Sequence, residues 1–218
     1  MKVTVLRHGK TAANITHEYC GRYYDAPLCD EGIETARGYG EDLSLERVYV
    51  TPLSRTHQTA KLLFPAAEQV VVENLAEMDF GDFEHRSYAD MADDPAYRAW
   101  VDSGCNDRCP NGETRAEFTE RTCKAFDELV AAAAARGEER VVIVAHGGTL
   151  MAVMGEWAQP SKPYWEWISN GCCGYRFTID PATWANTHVI TDFEHVSGHE
   201  ATPQPDMWHD PTHAPKEQ

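Results

Sequence analysis

A chain of 218 residues has room for one α/β domain with a sizeable core, or for a domain with a modest insertion. Its formal charge of −16, from 35 acidic against 19 basic side chains, argues against nucleic acid and anionic membrane surfaces as partners, because both need a broad basic face. With 42% hydrophobic residues and no uninterrupted apolar run of roughly 18–20 residues, the composition reads as globular, with no membrane span.

The N-terminal stretch MKVTVLRHG lacks a cleavage site of small residues, so it does not read as a signal peptide and a cytoplasmic location is expected. KVTVL (2–6) is the first predicted strand. Asp30 is placed as the N-cap of a helix with Ile33, Ala36, Gly40 and Leu43 on one face. RVYV (47–50) is the second strand, and Ser54 caps a second helix carrying Ala60, Leu63 and Phe64. QVVV (69–72) is the third strand. Between 80 and 110 the pattern gives way to acidic and aromatic residues, read as an inserted helical lid with too few apolar residues for a core of its own. Phe118, Thr122, Phe126, Leu129, Val130 and Ala133 then recur at helical spacing, ending at Arg136-Gly137. RVVIVA (140–145), GYRFTI (174–179) and HVITDF (188–193) complete the predicted strands. The expectation is an α/β three-layer sandwich, a mostly parallel central sheet flanked by helices, with a helical lid insertion at about 80–110. It assigns 1–196 to one domain and 197–218, rich in proline, histidine and aspartate, to a C-terminal tail.

Seven cysteines (20, 29, 105, 109, 123, 172 and 173) form no CxxC pair and are read as reduced thiols. Cys105 and Cys109 lack a partner pair at zinc-finger spacing, and the histidines at 199, 209 and 213 read as part of a solvated extension, so no metal site is predicted.

VTVLRHG and VVIVAHGG are both apolar strands that end directly in histidine and glycine. A histidine at a strand end is ordinarily a hydrogen-bonded structural residue. Two such endings in one parallel sheet bring His8 and His146 to the carboxyl edge where open α/β sheets bind ligands, and Gly9 and Gly147 let backbone amides approach an anion. Arg55, in TPLSRTHQTA, would normally be a solvated surface charge, and a cation in a first helical turn opposes the helix dipole. Beside Arg7 it reads instead as a second guanidinium for a bidentate oxyanion such as phosphate. Asn14 adds a neutral amide donor. Glu77, beyond the third strand, is either a surface carboxylate or a proton donor.

RHGKTAAN, GRYYDAPLCDEG, TPLSRTHQTA, LAEMDFGDFE, PNGET and AHGG, in that order, resemble the blocks of the histidine phosphatase superfamily, the phosphoglycerate mutase-like proteins. The resemblance implies His8 as phosphorylated nucleophile, Arg7, Asn14, Arg55 and His146 as the phosphate pocket with the Gly147 amide beside them, and Glu77 as general acid, with Asp79 the first alternative. It further implies hydrolysis of a small phosphorylated metabolite without metal ion or cofactor. A mutase-type phosphotransferase and a non-catalytic phosphate-binding protein are the alternatives. LAEMDFGDFE and YDAPLCDEG look most like the α-ribazole phosphatase branch, which makes α-ribazole 5′-phosphate a candidate substrate. Lys10 and DFEHRS depart from the family pattern at the rim. The lid residues Tyr88, Tyr97, Asp90, Asp93 and Asp94 would either stack a flat ring and repel highly charged substrates, or simply pack the lid.

Overall fold

Short β-branched runs become strands here because their alternate side chains fill both faces of a buried sheet. The computed structural model describes residues 1–198 and 200–201. In it Lys2–Arg7 (β1), Arg47–Val50 (β2), Glu68–Val71 (β3), Arg140–Ala145 (β4), Cys173–Thr178 (β5), Phe193–Ser197 (β6) and Glu200–Ala201 (β7) form one sheet in the order β3-β2-β4-β1-β5-β6-β7. The first four of that order run parallel, while β5, β6 and β7 each pair antiparallel to the strand before them. The helices are Ala12–Ile15 (α1), Asp30–Gly38 (α2), Ser54–Leu63 (α3), Pro95–Asp102 (α4), Arg115–Ala135 (α5), Gly147–Trp157 (α6) and Pro181–Thr187 (α7).

The three layers follow from the alternation within β4. Val141, Ile143 and Ala145 face a core closed by Phe126, Leu129 and Ala133 of α5, by α6 and by Trp184 of α7. Val142 and Val144 face the opposite core, closed by Ala36 of α2 and by Ala60, Leu63 and Phe64 at α3. The α5 residues expected inside are all buried, from Phe118 to Ala133. A capping box at Thr114 and Glu117 starts that helix, a contribution of about 1 kcal/mol, and Gly137 follows its end with φ of 73°.

Several local expectations are corrected. Asp30 and Ser54 are each the first helical residue, and the caps are Cys29 and Leu53. Ser54 is held from outside, giving both its main-chain N–H and its hydroxyl to Asp25 at 2.7 and 2.8 Å. α2 stops at Gly38, so Gly40 and Leu43 do not share its face; Leu43 is exposed and Leu45 takes the buried place. HVITDF is not a strand, because His188 turns left-handed at φ 43° to close α7 and Ile190 then bonds back to Trp157; β6 begins only at Phe193. Pairing continues through Ser197 and resumes at 200–201, inside the stretch assigned to the tail, of which 199 and 202–218, with His199, His209 and His213, lie outside the described residues.

Residues 80–110 contain a 3-10 turn (Gly81–Phe83) and α4. Their apolar residues do gather, since Phe83, Met91, Tyr97, Trp100 and Cys109 form a cluster with Met78, but Phe118 of α5 and Ala152 of α6 complete it, so the core is shared with the body. The expected ring-stacking surface is corrected for Tyr97, which is buried there with its hydroxyl 2.9 Å from that of Tyr19. Asp90 accepts from Ser87, Asp94 caps α4 and pairs with Arg86, and Asp93 pairs with Arg98, so these carboxylates organise the segment itself. Among the described residues no helix is long and apolar enough to cross a membrane.

β5 lies so close to β1 that a Cβ on Gly174 would sit 1.9 Å from the Val5 carbonyl oxygen. Gly174→Ala is therefore expected to lose about 1–3 kcal/mol, the usual cost of forcing atoms into a packed interior, in urea denaturation. An unchanged midpoint would contradict the close register of these two strands.

Candidate active site

Four parallel strands deliver the site. β2, β4 and β1 are neighbours, with Arg7 opposite Ala145 and Val50 opposite Val144, so the next residues, Thr51, His146 and His8, emerge side by side at the carboxyl edge. β3 leads through the turn Glu73–Leu75 to Glu77.

His8 is buried, and its main-chain N–H donates to Ala145 O at 2.9 Å. Its Nδ1 lies 2.7 Å from Gly9 O. A carbonyl only accepts, so Nδ1 carries the proton and Nε2 of the neutral ring keeps its lone pair. His146, in edge contact with His8 at 5.3 Å between ring centres, is fixed in the other tautomer. Arg55 Nε donates to its Nδ1 at 3.4 Å, leaving Nε2–H to donate to Thr51 Oγ1 at 2.9 Å. Burial first, then the guanidinium of Arg55, then other nearby cations including Arg7, hold both imidazoles well below the ordinary histidine pKa, so both are neutral at pH 7.

Arg55 is wholly buried, which excludes the solvated surface reading. Besides His146 it donates to Tyr24 O at 2.9 Å, Cys20 O at 3.2 Å and Gly21 O at 3.0 Å, so the loop from 20 to 24 is wrapped around it. Arg7 is half-buried and gives one N–H to Ser169 O at 2.9 Å, leaving most of its fork for a ligand. Ser169 is braced in turn by a 2.8 Å bond between its hydroxyl and His195 Nε2. Among the described residues neither Arg7 nor Arg55 is in an ion pair.

Asn14 caps α1 reciprocally with Thr11, its amide oxygen accepting from Thr11 N at 3.0 Å and Thr11 Oγ1 at 3.1 Å. That leaves the NH2 group to donate outward. Gly147 and Gly148 open α6. Glu77 Oε2 accepts from Gly148 N at 3.1 Å and Oε1 from Met78 N at 3.0 Å. A Cβ on Gly148 would lie 2.1 Å from Glu77 Oε1, so the second glycine is what lets the carboxylate reach the helix start. One at Gly147 would lie 3.6 Å from Arg7 Nε. His8, His146, Arg7, Arg55, Glu77 and Gly147 thus converge, with Asn14 one short turn beyond Gly9.

Lys10 does not face the site, since it pairs with Glu31 of α2 at 2.8 Å. Within DFEHRS, His85 stacks at 3.7 Å between ring centres on Tyr24, the last residue of the loop around Arg55. Sequence reasoning passed over Thr51, which ends β2 as His8 ends β1, and over Thr59, whose hydroxyl accepts from Gly9 N at 2.8 Å. Ser169 and Arg121 carried no motif signal. All seven cysteines are free thiols.

This arrangement is that of a phosphate-handling histidine enzyme, and the chain belongs to the histidine phosphatase superfamily (branch 1), which it matches over residues 3–191. It is 30% identical over 181 residues to the adenosylcobalamin/alpha-ribazole phosphatase of Salmonella typhimurium, covering 79% of this chain and 88% of that protein. It is 31% identical over 157 residues to the probable phosphoglycerate mutase GpmB of Erwinia tasmaniensis, covering 69% and 71%. Among solved structures, the alpha-ribazole phosphatase of Shigella flexneri matches with a TM-score of 0.71 at 25% identity, covering 88% of this chain and 94% of that one. A putative alpha-ribazole-5′-P phosphatase from Escherichia coli has the same fold, with a TM-score of 0.74 at 24% identity over 94% of this chain and 99% of that one.

Two buried neutral histidines make stability depend on pH in a definite direction. Their folded pKa values lie below the unfolded value near 6.5, so below about pH 6.5 the unfolded chain binds protons that the folded one refuses, and stability falls as pH falls, by at most about 1.4 kcal/mol per unit for each ring. Urea denaturation between pH 7.5 and 5.5 is expected to give a shallower pH slope for a His8→Gln, His146→Gln double variant than for the wild type. Equal slopes would mean that these rings titrate normally.

Proposed function

We propose that the chain is a phosphomonoester hydrolase that works through a phosphohistidine on His8, within a single domain. The observation that carries this reading is the bare Nε2 of a buried, neutral His8 beside two guanidiniums that, among the described residues, form no ion pair with a carboxylate. A phosphate dianion supplies the missing negative charge, its oxygens accepting from Arg7, Arg55, the Asn14 amide and the N–H groups at the start of α6. Nε2 attacks phosphorus as the ester oxygen leaves in line, and Glu77 gives that oxygen its proton. Water then attacks the phosphohistidine, Glu77 takes the water's proton, and phosphate and free His8 are released. The arginines neutralise the equatorial oxygens in both steps, the work that a divalent cation does in other phosphoryl transfers, so the reaction is metal-independent.

For the substrate we propose a small phosphomonoester with a flat leaving part, α-ribazole 5′-phosphate being the candidate that the Salmonella and Shigella relatives support. Residues 80–110 act as the lid over it, and Tyr24 with His85 offers the ring-stacking surface. The free thiols fit work in the reducing cytoplasm.

Incubation with a labelled phosphomonoester should trap an acid-labile, alkali-stable phosphoenzyme that His8→Ala abolishes. Label retained in His8→Ala would move the nucleophile elsewhere. Activity should also survive exhaustive chelation; loss in EDTA with recovery on adding zinc or magnesium would overturn the metal-independent reading.

A further inference from the structure

The segment that carries Glu77 has no regular structure to hold it. Beyond the turn Glu73–Leu75, residues 76–79 belong to neither helix nor strand, so their backbone groups need partners from elsewhere. The carbonyls from 74 to 79 are nevertheless all accounted for. Leu75 O accepts from Thr149 Oγ1 at 3.3 Å, Met78 O from Arg22 N at 3.1 Å and Asp79 O from Glu113 N at 2.9 Å. The remaining three belong to one side chain. Arg121 of α5 donates through one terminal nitrogen to Asn74 O at 2.8 Å and Ala76 O at 3.1 Å, and through the other to Glu77 O at 3.3 Å.

Glu113 holds the guanidinium in that pose. It accepts from Arg121 Nε at 2.8 Å and from the second terminal nitrogen at 2.9 Å, a two-pronged pair in which both side chains are largely buried. Its second oxygen also takes Asp79 N at 2.9 Å. Burial works against the Glu113 carboxylate, but the bonds from Arg121 and from Asp79 N outweigh it and hold its pKa below the usual value. The Phe118 ring lies 5.3 Å beneath the guanidinium carbon. All five N–H donors of Arg121 are thereby used, and none points at the phosphate pocket.

We infer that Arg121 is the positioning residue for the general acid, locking the backbone on both sides of Glu77 so that its carboxyl meets the start of α6 and the departing oxygen. The inference rests on the proposed role of Glu77. Only a planar fork makes these five bonds; a lysine keeps the charge and offers three donors from one point. Displacing a catalytic group by about 1 Å costs on the order of 100-fold where its proton is needed, and nothing where it is not.

The test is the dependence of kcat and KM on leaving group, from 2,4-dinitrophenyl phosphate to an alkyl phosphate, in the wild type, Glu77→Gln, Arg121→Lys and Glu113→Gln. Arg121→Lys should lose roughly 10- to 100-fold in kcat/KM on the alkyl ester and stay within about threefold of wild type in kcat/KM on the dinitrophenyl ester, whose leaving group needs no proton; kcat/KM reports the phosphorylation step alone, whereas kcat also contains the hydrolysis in which Glu77 is the base for both esters. A folded Arg121→Lys that loses equally on both esters, or loses nothing on the alkyl one, while Glu77→Gln remains selective, would reduce Arg121 to a structural role and leave the acid assignment intact. If Glu77→Gln itself loses equally on both, the acid assignment fails and the inference goes with it. Should Arg121→Lys fail to fold, Glu113→Gln, which retains the guanidinium but removes its anchor, decides by the same comparison.

Discussion

Arg55 is a permanent charge with no solvent exposure and, among the described residues, no acidic partner. Taking such a charge out of water costs several kcal/mol even after relaxation, and carbonyl dipoles offset only part of that. Three main-chain oxygens from the loop 20–24 and one ring nitrogen of His146 surround it. That single placement fixes the loop, selects the tautomer of His146, lowers the proton affinity of both histidines and leaves the pocket in deficit of negative charge. Under the proposed function a phosphate dianion relieves the deficit. In a chain with a net charge of −16 this local excess of positive charge is what makes an anionic substrate possible at all.

The sheet provides the geometry that the charge needs. His8, His146 and Thr51 follow three hydrogen-bonded neighbouring strands whose register is set by packing on both faces, well away from the ligand. Glu77 enters from the fourth parallel strand by a segment without regular structure, and reaches the helix start only because residue 148 has no side chain. Precision there comes from side chains, chiefly Arg121 with Glu113, rather than from a ladder of main-chain bonds. His8 is thus held by the core, while Glu77 is held by way of an ion pair, and the two are separable by mutation.

The sheet core and the place of His8 were legible because both are written locally: a β-branched run ending in His-Gly gives the strand, its end and the group at its end together. Arg55 was legible as a guanidinium at the sheet's carboxyl edge by its place after β2, although its full burial and its acceptors were not, since three of the four are main-chain oxygens that any sequence supplies. β6 was misplaced because HVITDF alternates like a strand while His188 spends its first position turning out of α7. The T-x-x-E box at Thr114, which starts α5, is a local signal that the sequence reading passed over. Arg121 and Ser169 were not readable, because an arginine within a helix and a serine in a loop acquire their roles only when distant groups arrive beside them, main-chain carbonyls for Arg121 and the side chains of Arg7 and His195 for Ser169. Tyr97 shows the reverse limit, an aromatic residue in an acidic stretch that packs inward through Tyr19.

The account stands on a neutral His8 whose proton sits on Nδ1 and whose Nε2 is bare in the free enzyme. Nitrogen-15 NMR of the histidine rings, with His8 assigned by its loss in His8→Gln, measures this directly between pH 7.5 and 5.5. A single tautomer, protonated at Nδ1 and unchanged on lowering the pH through 6.5, is the predicted result. An imidazolium protonated at both nitrogens at pH 6.5, or a proton resident on Nε2, would contradict it.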